Sequence, residues 1–416
     1  MHDPMDKTLL RGIRVLDFSR VFAVPACSQF LGDLGAEVIK VEEPLRGDEA
    51  RYYGMTSDEL DAIGGVSPSF HAFNRNKRSV TLDLRKPAGQ EAARHLIAGS
   101  DVLLHNFRVG TMEKFGLGQV AMMAQHPRLI YGAFSAYGPR GDKAKIGAND
   151  LALQGHSGLL HVTGEADRPP VRVGTAAIDL HAGVALGAGI LAALFHRERT
   201  GEGQLVETSL LRGAAHLMSY FYVEYWMTGH ERQRMGTANH LSVPNQVFPS
   251  ADGYVVIIAP SDEMWARLAK TLDPDTLALP QFTRISDRQT NRNQVIAAIS
   301  AITSTRSSES LLRELGAAKV NVSKVNSIGE AAEDPQLAQI GGVIEIPGPK
   351  GSQRAVAPPV SLGKAEAFSH TGIPVLGADT DAVFTESGLN ETEMARLRTA
   401  GAFGPVDTDT RRKAVI

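Results

Sequence analysis

The sequence predicts an α/β fold, with a parallel sheet in its first part and a smaller α+β domain after it. In the first third of the chain, short runs of β-branched and apolar residues alternate with helix-like segments. This alternation is typical of a parallel sheet whose strands are buried on both faces. The chain has 416 residues, enough for two or three domains, and its 43% hydrophobic and 21% charged residues indicate a folded globular protein.

The first predicted strand, Ile13–Phe18, is followed by a loop, Ser19–Val24. Pro25 is favoured in the first turn of a helix, so we expect a helix from there to about Leu34, with Gly35 as its left-handed cap. The further predicted strands are Glu37–Glu42, Ser79–Asp83, Val102–His105, Leu129–Phe134 and Gln204–Ser209. The further predicted helices are Pro87–Ala98 and a long one from about Leu180 to Arg199.

The polar segment Gly229–Asn239 predicts a domain boundary. The elements expected after it are strands Tyr254–Ile258 and Val320–Val325, helices Asp262–Leu272 and Asn293–Ser304, and a helix-like Ile328–Asp334. We interpret the Gly- and Pro-rich Pro347–Pro359 as a long connection, followed by helices Thr380–Ser387 and Glu391–Thr399. The predicted division is residues 1–225 for the large domain, 226–335 for the small α+β domain and 336–416 for a linker and C-terminal part.

Composition narrows the possible partners. A net charge of −3 removes the electrostatic case for nucleic-acid binding, and a single cysteine, Cys27, excludes a disulfide framework. The longest apolar stretch, Ala182–Phe195, is shorter than the roughly 20 residues of a membrane span, so a buried core helix is expected. The N-terminal MHDPMDK lacks the apolar core of a secretory signal. We therefore predict a cytoplasmic protein with no nucleic-acid and no membrane partner.

Several common catalytic motifs are missing from the sequence. The turn after the first strand, Arg20–Val24, contains no glycine, so it is not a dinucleotide-binding fingerprint, and there is no phosphate-binding P-loop. No HExxH segment occurs and the histidines are scattered, so no metal site is predicted. Ser157, in Gly155–Gly158, lacks the spacing of a nucleophilic serine elbow.

Asp179 lies directly before the most apolar segment of the chain, and two interpretations are open. The common one is a helix N-cap, because an aspartate there accepts hydrogen bonds from the first free amides. The functional one is a nucleophile: with an ordinary pKa of about 3.9, the carboxylate is ionised at neutral pH and needs no activating base. Small side chains and backbone amides around it would stabilise an oxyanion on an acyl group.

Longer segments, in order along almost the whole chain, resemble the class III coenzyme A transferase family. That family includes formyl-CoA:oxalate, carnitine and succinyl-CoA:dicarboxylate CoA-transferases and the 2-methylacyl-CoA racemases. The segments are LRGIRVLDF (10–18), LGDLGAEVIKVE (31–42), NRNKRS (74–79), HNFR (105–108), HRERTGEGQ (196–204) and GADTD (377–381).

The resemblance implies a mechanism and a set of contacts. Asp179 corresponds to the family's nucleophile, which forms an anhydride with the acyl group and then a thioester with CoA. CoA is implied as a substrate, with no prosthetic group. The residues implied to contact it are Arg20, Val21, Phe22, Ala23, Leu82, Asn106, Phe107 and Lys114. For Leu82 and Phe107 core packing is an equal alternative, and Lys114 is equally compatible with a solvated charge.

The resemblance also implies a Rossmann-like large domain to which the C-terminal part returns, and an interlocked homodimer. Near the acyl group it places Asn149 and Asp150, where the formyl-CoA enzyme has tyrosine instead of Asn149 and glutamine instead of Phe22. Candidate substrate contacts are Arg51 and Arg75, beside Arg20, and His240 in a loop that replaces the family's glycine-rich flap. Arginine pairs well with carboxylates, so we expect succinyl-CoA or a similar short dicarboxylyl-CoA and a small carboxylic acid as substrates.

Two alternatives to CoA transfer are kept. A racemase of this family needs a histidine before an aspartate for proton exchange, and this chain has Asn149 there, which cannot exchange a proton near pH 7. His156 is the nearest possible substitute. The other alternative is an acyl-CoA-binding protein without catalysis.

Overall fold

The computed structural model describes residues 9–362 and 370–404, so the N-terminal MHDPMDK on which one expectation depends lies outside the described residues. The chain divides into two compact units. The first contains the chain up to Gly158, Val173–Thr228 and the residues from Ile340 onward, and the second contains Leu159–Arg172 and Gly229–Gln339. The predicted division instead placed residues 159–172 in the large domain. They belong to the second unit because backbone pairing joins Gly164 to Gly236 within it.

The first unit is built on a six-stranded, fully parallel sheet. Its strands are β1 (Arg14–Asp17), β2 (Glu37–Glu42), β3 (Lys77–Thr81), β4 (Val102–His105), β5 (Ile130–Ser135) and β6 (Leu205–Ser209). They lie in the order β3-β2-β1-β4-β5-β6, which is the order of the Rossmann fold. The predicted α/β fold class is therefore confirmed.

Strand β3 begins and ends two residues before its predicted position. The difference comes from Lys77, whose ammonium group is fully buried and paired with Asp17 on β1 at 3.2 Å. A charged residue inside a strand interrupts the apolar pattern by which strands are found in a sequence.

Helices cover both faces of the sheet. Those of the first unit are Ala23–Asp33, Ser57–Ile63, Pro68–His71, Pro87–Ala98, Thr111–Lys114, Gln119–Gln125, Asp150–His156, Ala177–Thr200, Leu210–Leu217, Ser219–Thr228, Thr380–Glu386 and Glu391–Thr399, with a 3₁₀ turn at Glu49–Tyr52. Gly35 has a φ of +98°, as expected of a left-handed cap after the first helix. The C-terminal helices pack into the same core as β1, β2 and the helix Pro87–Ala98.

Ala177–Thr200 is called the long helix below. Its 24 residues are long and apolar enough to cross a membrane by length and composition alone, although the sequence predicted no span. One face of this helix, with Leu186 and Ile190, is buried against the first helix and β5 and β6. A core helix of this kind meets the same length and hydropathy criteria.

The segment Pro347–Pro359, predicted to be a connection, instead forms most of an antiparallel hairpin. Its strands are β10 (Val343–Gly348) and β11 (Gly351–Val356). Proline is tolerated at sheet edges, and both strands of a two-stranded sheet are edges, so Pro347 does not break the pairing. The Arg75 guanidinium donates to the Val356 carbonyl at 2.9 Å and so connects the hairpin to the rest of the first unit.

The second unit is the smaller α+β domain that the sequence predicts. Its antiparallel sheet consists of β7 (Asn245–Ser250), β8 (Gly253–Ile258) and β9 (Asn321–Lys324). Its helices are Leu159–Val162, Asp262–Leu272, Pro274–Leu277, Ile285–Thr290, Arg292–Thr303, Ser308–Ala317, Ile328–Ala332 and Pro335–Gln339, with a 3₁₀ turn at Pro280–Phe282. Trp265, Leu268 and Phe248 are among the side chains of its separate apolar core.

Candidate active site

The candidate site lies at the carboxyl ends of β1 and β4, in the first unit. These neighbouring strands connect to opposite halves of the sheet, and such a switch point is where open α/β sheets bind ligands. The loops after both strands line a cavity of about 770 Å³. The predicted site residues that it brings together are Arg20, Val21, Phe22, Ala23, Asn106, Phe107, Asn149 and Asp179.

Asp179 reaches this cavity from the first turn of the long helix, where it is the third residue. The N-cap is Ala176 and makes no side-chain cap, so the interpretation of Asp179 as an N-cap is wrong. Asp150 performs that function: its Oδ2 accepts hydrogen bonds from the backbone amides of Ile178 and Asp179, at 2.8 and 3.1 Å. The Asp179 carboxyl group is therefore not used to cap its own helix.

Burial raises the pKa of Asp179 to about 7, and the negative charge of nearby Asp150 adds to this shift. The ordinary aspartate pKa expected from the sequence is therefore wrong for this site. A carboxylate that is poorly solvated loses less solvation when it attacks a substrate, so the same burial suits a nucleophile. Both the protonated and the ionised form of Asp179 are therefore populated near neutral pH.

For the CoA transfer and the nucleophilic Asp179 that the resemblance implies, we expect kcat/KM to fall about tenfold for each pH unit below 7, because only the ionised carboxylate would attack. Asp150→Asn removes the neighbouring charge while keeping an oxygen that accepts from the two helix amides. Its acid limb should therefore move to lower pH in a rate profile measured from pH 5 to 9. Asp142→Asn, an exposed position, is the control and should leave the limb in place. An Asp150→Asn profile that coincides with the wild type would contradict the electrostatic coupling.

Asn149 is the N-cap of the helix Asp150–His156, and its Oδ1 accepts from the Ala152 amide at 3.1 Å. Phe22, in the loop after β1, packs edge-on against Tyr53 and Phe73, with ring centroids 5.8 and 5.6 Å away. Phe22 thus contributes an aromatic ring to the cavity wall.

A second cavity, of about 330 Å³, adjoins the first, since Arg20 and Phe107 line both. Leu82 is buried and lines this smaller cavity together with Phe115. Lys114 is exposed and lines neither cavity. Arg108 also lines the larger cavity. It was not predicted as a site residue, although it directly follows Asn106 and Phe107 in the HNFR segment.

Arg51 does not line the cavity that contains Asp179; it lines a different cavity, which Asp179 does not line. Its guanidinium is buried and pairs with Glu42 through two hydrogen bonds, at 2.7 and 2.8 Å. Arg75 likewise pairs with Asp33, at 2.8 and 2.5 Å. Both groups are therefore structural, and the prediction that they contact the acyl or acceptor carboxylate is corrected.

The remaining predicted contact, His240, belongs to the second unit. Its role in the site stays a prediction. Among the described residues, no group of three or more His, Cys, Asp and Glu side chains is arranged to hold a metal ion.

Residues 10–380 match the family model described as CoA-transferase family III. The chain belongs to CoA-transferase family III. The resemblance seen in the sequence is thereby confirmed, and the protein is a CoA-transferase.

Two curated relatives of this CoA-transferase bear substrate names. The succinate–glutarate CoA-transferase of Agrobacterium fabrum is 31% identical over 92% of this chain and 96% of its own. The succinyl-CoA:mesaconate CoA-transferase of Haloarcula marismortui is 33% identical over 92% of this chain and 97% of its own. Among solved structures, a CaiB/BaiF family protein from Brucella suis superposes with a TM-score of 0.83 and 31% identity, covering 92% of this chain and all of that one.

Proposed function

We propose that this CoA-transferase moves CoA from succinyl-CoA, or a similar short dicarboxylyl-CoA, to a small carboxylic acid through covalent intermediates on Asp179. The observation that carries the proposal is the position of Asp179 in the same cavity as the loops after β1 and β4. The names of the relatives support succinyl-CoA as the donor.

The reaction proceeds by exchange at three carbonyl carbons, those of the donor, of Asp179 and of the acceptor. The Asp179 carboxylate attacks the thioester, which gives an aspartyl–acyl anhydride and releases the CoA thiolate. The thiolate attacks the aspartyl carbonyl, gives an aspartyl-CoA thioester and releases the donor acid. The acceptor carboxylate then attacks this thioester, which gives a second anhydride, between Asp179 and the acceptor, and releases the CoA thiolate again. The thiolate attacks the acceptor carbonyl of this anhydride, gives the product acyl-CoA and releases the Asp179 carboxylate. Each step conserves the activated bond, provided that water is excluded.

The two adjoining cavities support an extended ligand. The guanidinium of Arg20 lies 5.3 Å from the centre of the Phe107 ring, at the junction of the cavities. A flat cation on an aromatic ring at this point suits the adenine and phosphate part of CoA, while the thioester points toward Asp179. Of the described residues that line the larger cavity, only Arg20 and Arg108 are cationic, so one of them would meet the distal carboxylate of a dicarboxylate.

Trapping the intermediate tests this proposal. The enzyme is incubated with succinyl-CoA, quenched in acid, digested with trypsin and examined by mass spectrometry. Tryptic cleavage after Arg172 and Arg197 isolates Asp179, whereas Asp150 lies on the preceding peptide. We expect the mass of CoA less one water on the Asp179 peptide, removable with hydroxylamine. An unmodified Asp179 peptide during turnover, or CoA on the Asp150 peptide, would refute the assignment.

A racemase is less well supported by the geometry. Asn149 is a helix cap whose side-chain amide cannot act as an acid or a base near pH 7, and the described residues that line the larger cavity include no histidine. His156 packs instead against Tyr137, with ring centroids 5.2 Å apart.

We also propose a homodimer, as the family resemblance implies. The first unit exposes apolar side chains on the outer face of the long helix and on the helix Ser219–Thr228: Val184 (59% exposed), Phe195 (64%), Trp226 (74%) and Met227 (80%). Val184 and Phe195 lie about three turns apart on one face of the long helix, and exposed apolar surface of this kind is typical of an interface.

Light scattering should therefore give about twice the chain mass of 44.6 kDa. The double substitution Val184→Glu and Phe195→Glu should shift the protein toward monomer, because it places charges in the proposed interface. Val120→Glu is the control, since Val120 is 77% exposed on a different helix. A wild-type monomer would overturn the dimer.

A further inference from the structure

The loop after β1 has a backbone conformation that its sequence disfavours. Val21 has a φ of +69°, in the left-handed region that β-branched residues seldom enter. Gly and Asn adopt this region far more readily. The surrounding structure must therefore hold the loop in place, and strain of this kind concentrates at functional sites.

Two side chains hold the loop from opposite sides. Asn106, after β4, accepts a hydrogen bond from the Arg20 amide through Oδ1 at 3.0 Å and donates to the Arg20 carbonyl through Nδ2 at 2.7 Å. On the other side the Asp48 carboxylate accepts from the Val21 amide, at 3.1 and 3.2 Å. The peptide group that precedes the strained residue is thus held at both its carbonyl and its amide.

A buried ion pair holds both the Asp48 carboxylate and the start of the loop in place. Lys40 and Asp48 are fully buried and lie 2.9 Å apart, and Lys40 also donates to the Ser19 carbonyl at 2.8 Å. The ammonium group therefore fixes both the loop and the carboxylate that holds Val21. Such a pair in a low-dielectric interior has few alternative partners, which keeps the loop geometry defined.

We propose that Asn106 and Asp48 are positioning residues that act on CoA binding through the loop, and that Asn106 does not act as a direct CoA contact. This inference rests on the proposed function, in which CoA occupies the cavity lined by Arg20, Val21 and Phe22. The amide of Asn106 is already committed to both the amide and the carbonyl of Arg20. Its effect is to place the Arg20 guanidinium on the Phe107 ring.

The inference predicts that the effects of two substitutions are not additive. Without Asn106, the strain at Val21 drives the loop into other conformations, and the apparent Kd for CoA rises as the competent fraction falls. With glycine in place of Val21, the left-handed conformation carries little strain, so losing Asn106 costs much less. A direct contact from Asn106 to CoA would cost the same in both backgrounds.

The test is a double-mutant cycle on the full-length protein, with the Kd for CoA measured by calorimetry. Asn106→Ala should raise Kd on the order of tenfold in the wild-type background, and less than about threefold in the Val21→Gly background. Asn106→Ser also loses both hydrogen bonds but keeps a small polar side chain without adding a charge, so it should show the same pattern. This variant also decides the question if Asn106→Ala does not fold.

Equal factors in the two backgrounds would overturn the inference and leave the proposed function intact. Wild-type protein that binds no CoA would instead overturn the proposed function, and this inference with it.

Discussion

Asp179→Asn is expected to reduce CoA transfer by at least about 10⁴-fold, because an amide cannot attack a thioester and no second nucleophile in the proposed mechanism replaces it. The substitution keeps the size of the side chain and leaves the Asp150 hydrogen bonds to the helix amides unchanged. The measurement is the rate at which succinyl-CoA passes CoA to a labelled acid. Turnover within tenfold of the wild type would contradict the covalent mechanism.

Asp150→Asn is the matched control, because its carboxylate is committed to the helix amides and is not the proposed nucleophile. It should retain far more activity than Asp179→Asn at its own optimal pH. A comparable loss in both variants would indicate that the helix start, rather than the nucleophile, is being damaged.

Stability provides an independent check that Asp179→Asn folds. A carboxyl whose pKa is raised in the folded protein binds its proton more tightly there, so its contribution to stability is complete below about pH 4 and is lost as the pH rises through about 7. The neutral asparagine has no such loss. At pH 8 the variant should therefore have a higher free energy of unfolding than the wild type, by about 4 kcal/mol, and near pH 4 the two should agree.

Strands β2 and β4 and the helices Pro87–Ala98, Asp262–Leu272 and Glu391–Thr399 occur at their predicted residues, because in each case local pattern and tertiary burial favour the same structure. The hairpin of β10 and β11 was missed because Gly and Pro are read as loop residues, whereas edge strands accept them. Composition carries no information about whether a strand lies at an edge.

The candidate site, too, could be predicted from the sequence only in part. Asp179 could be predicted from its position before the most apolar segment, and the loop residues after β1 and β4 from the family resemblance, which agrees with the rule that ligands bind at the carboxyl ends of parallel strands. Asp150, whose charge acts on Asp179, could be predicted as a site residue. Its capping function could not, because the helix that it caps begins 27 residues later in the chain. Arg51 and Arg75 looked available for the substrate because nothing local shows that Glu42 and Asp33 neutralise them.

The distance between the nucleophile and the β1 loop depends on Gly183, one turn after Asp179 and on the same helix face. A β-carbon at Gly183 would lie 2.2 Å from the Ala23 carbonyl oxygen, at the start of the first helix. The two helices therefore cannot keep their separation in Gly183→Ala. We expect this variant to be less stable by about 1–3 kcal/mol and to lose on the order of 10²-fold in kcat, because the Asp179 turn moves away from the loop.

Gly187→Ala is the matched control, since it lies one turn further along the same buried face. There a β-carbon would meet the Cys27 sulfur and a Phe30 ring carbon at 3.6 Å, an ordinary contact. Replacing a glycine inside a helix by alanine is itself stabilising, by roughly 0.5–1 kcal/mol, so propensity alone would make both variants more stable than the wild type. Thermal unfolding and CoA-transfer rates should therefore separate them, with Gly183→Ala impaired and Gly187→Ala unimpaired. If both variants gained stability and kept full activity, the helix contact at Ala23 would not set the position of Asp179.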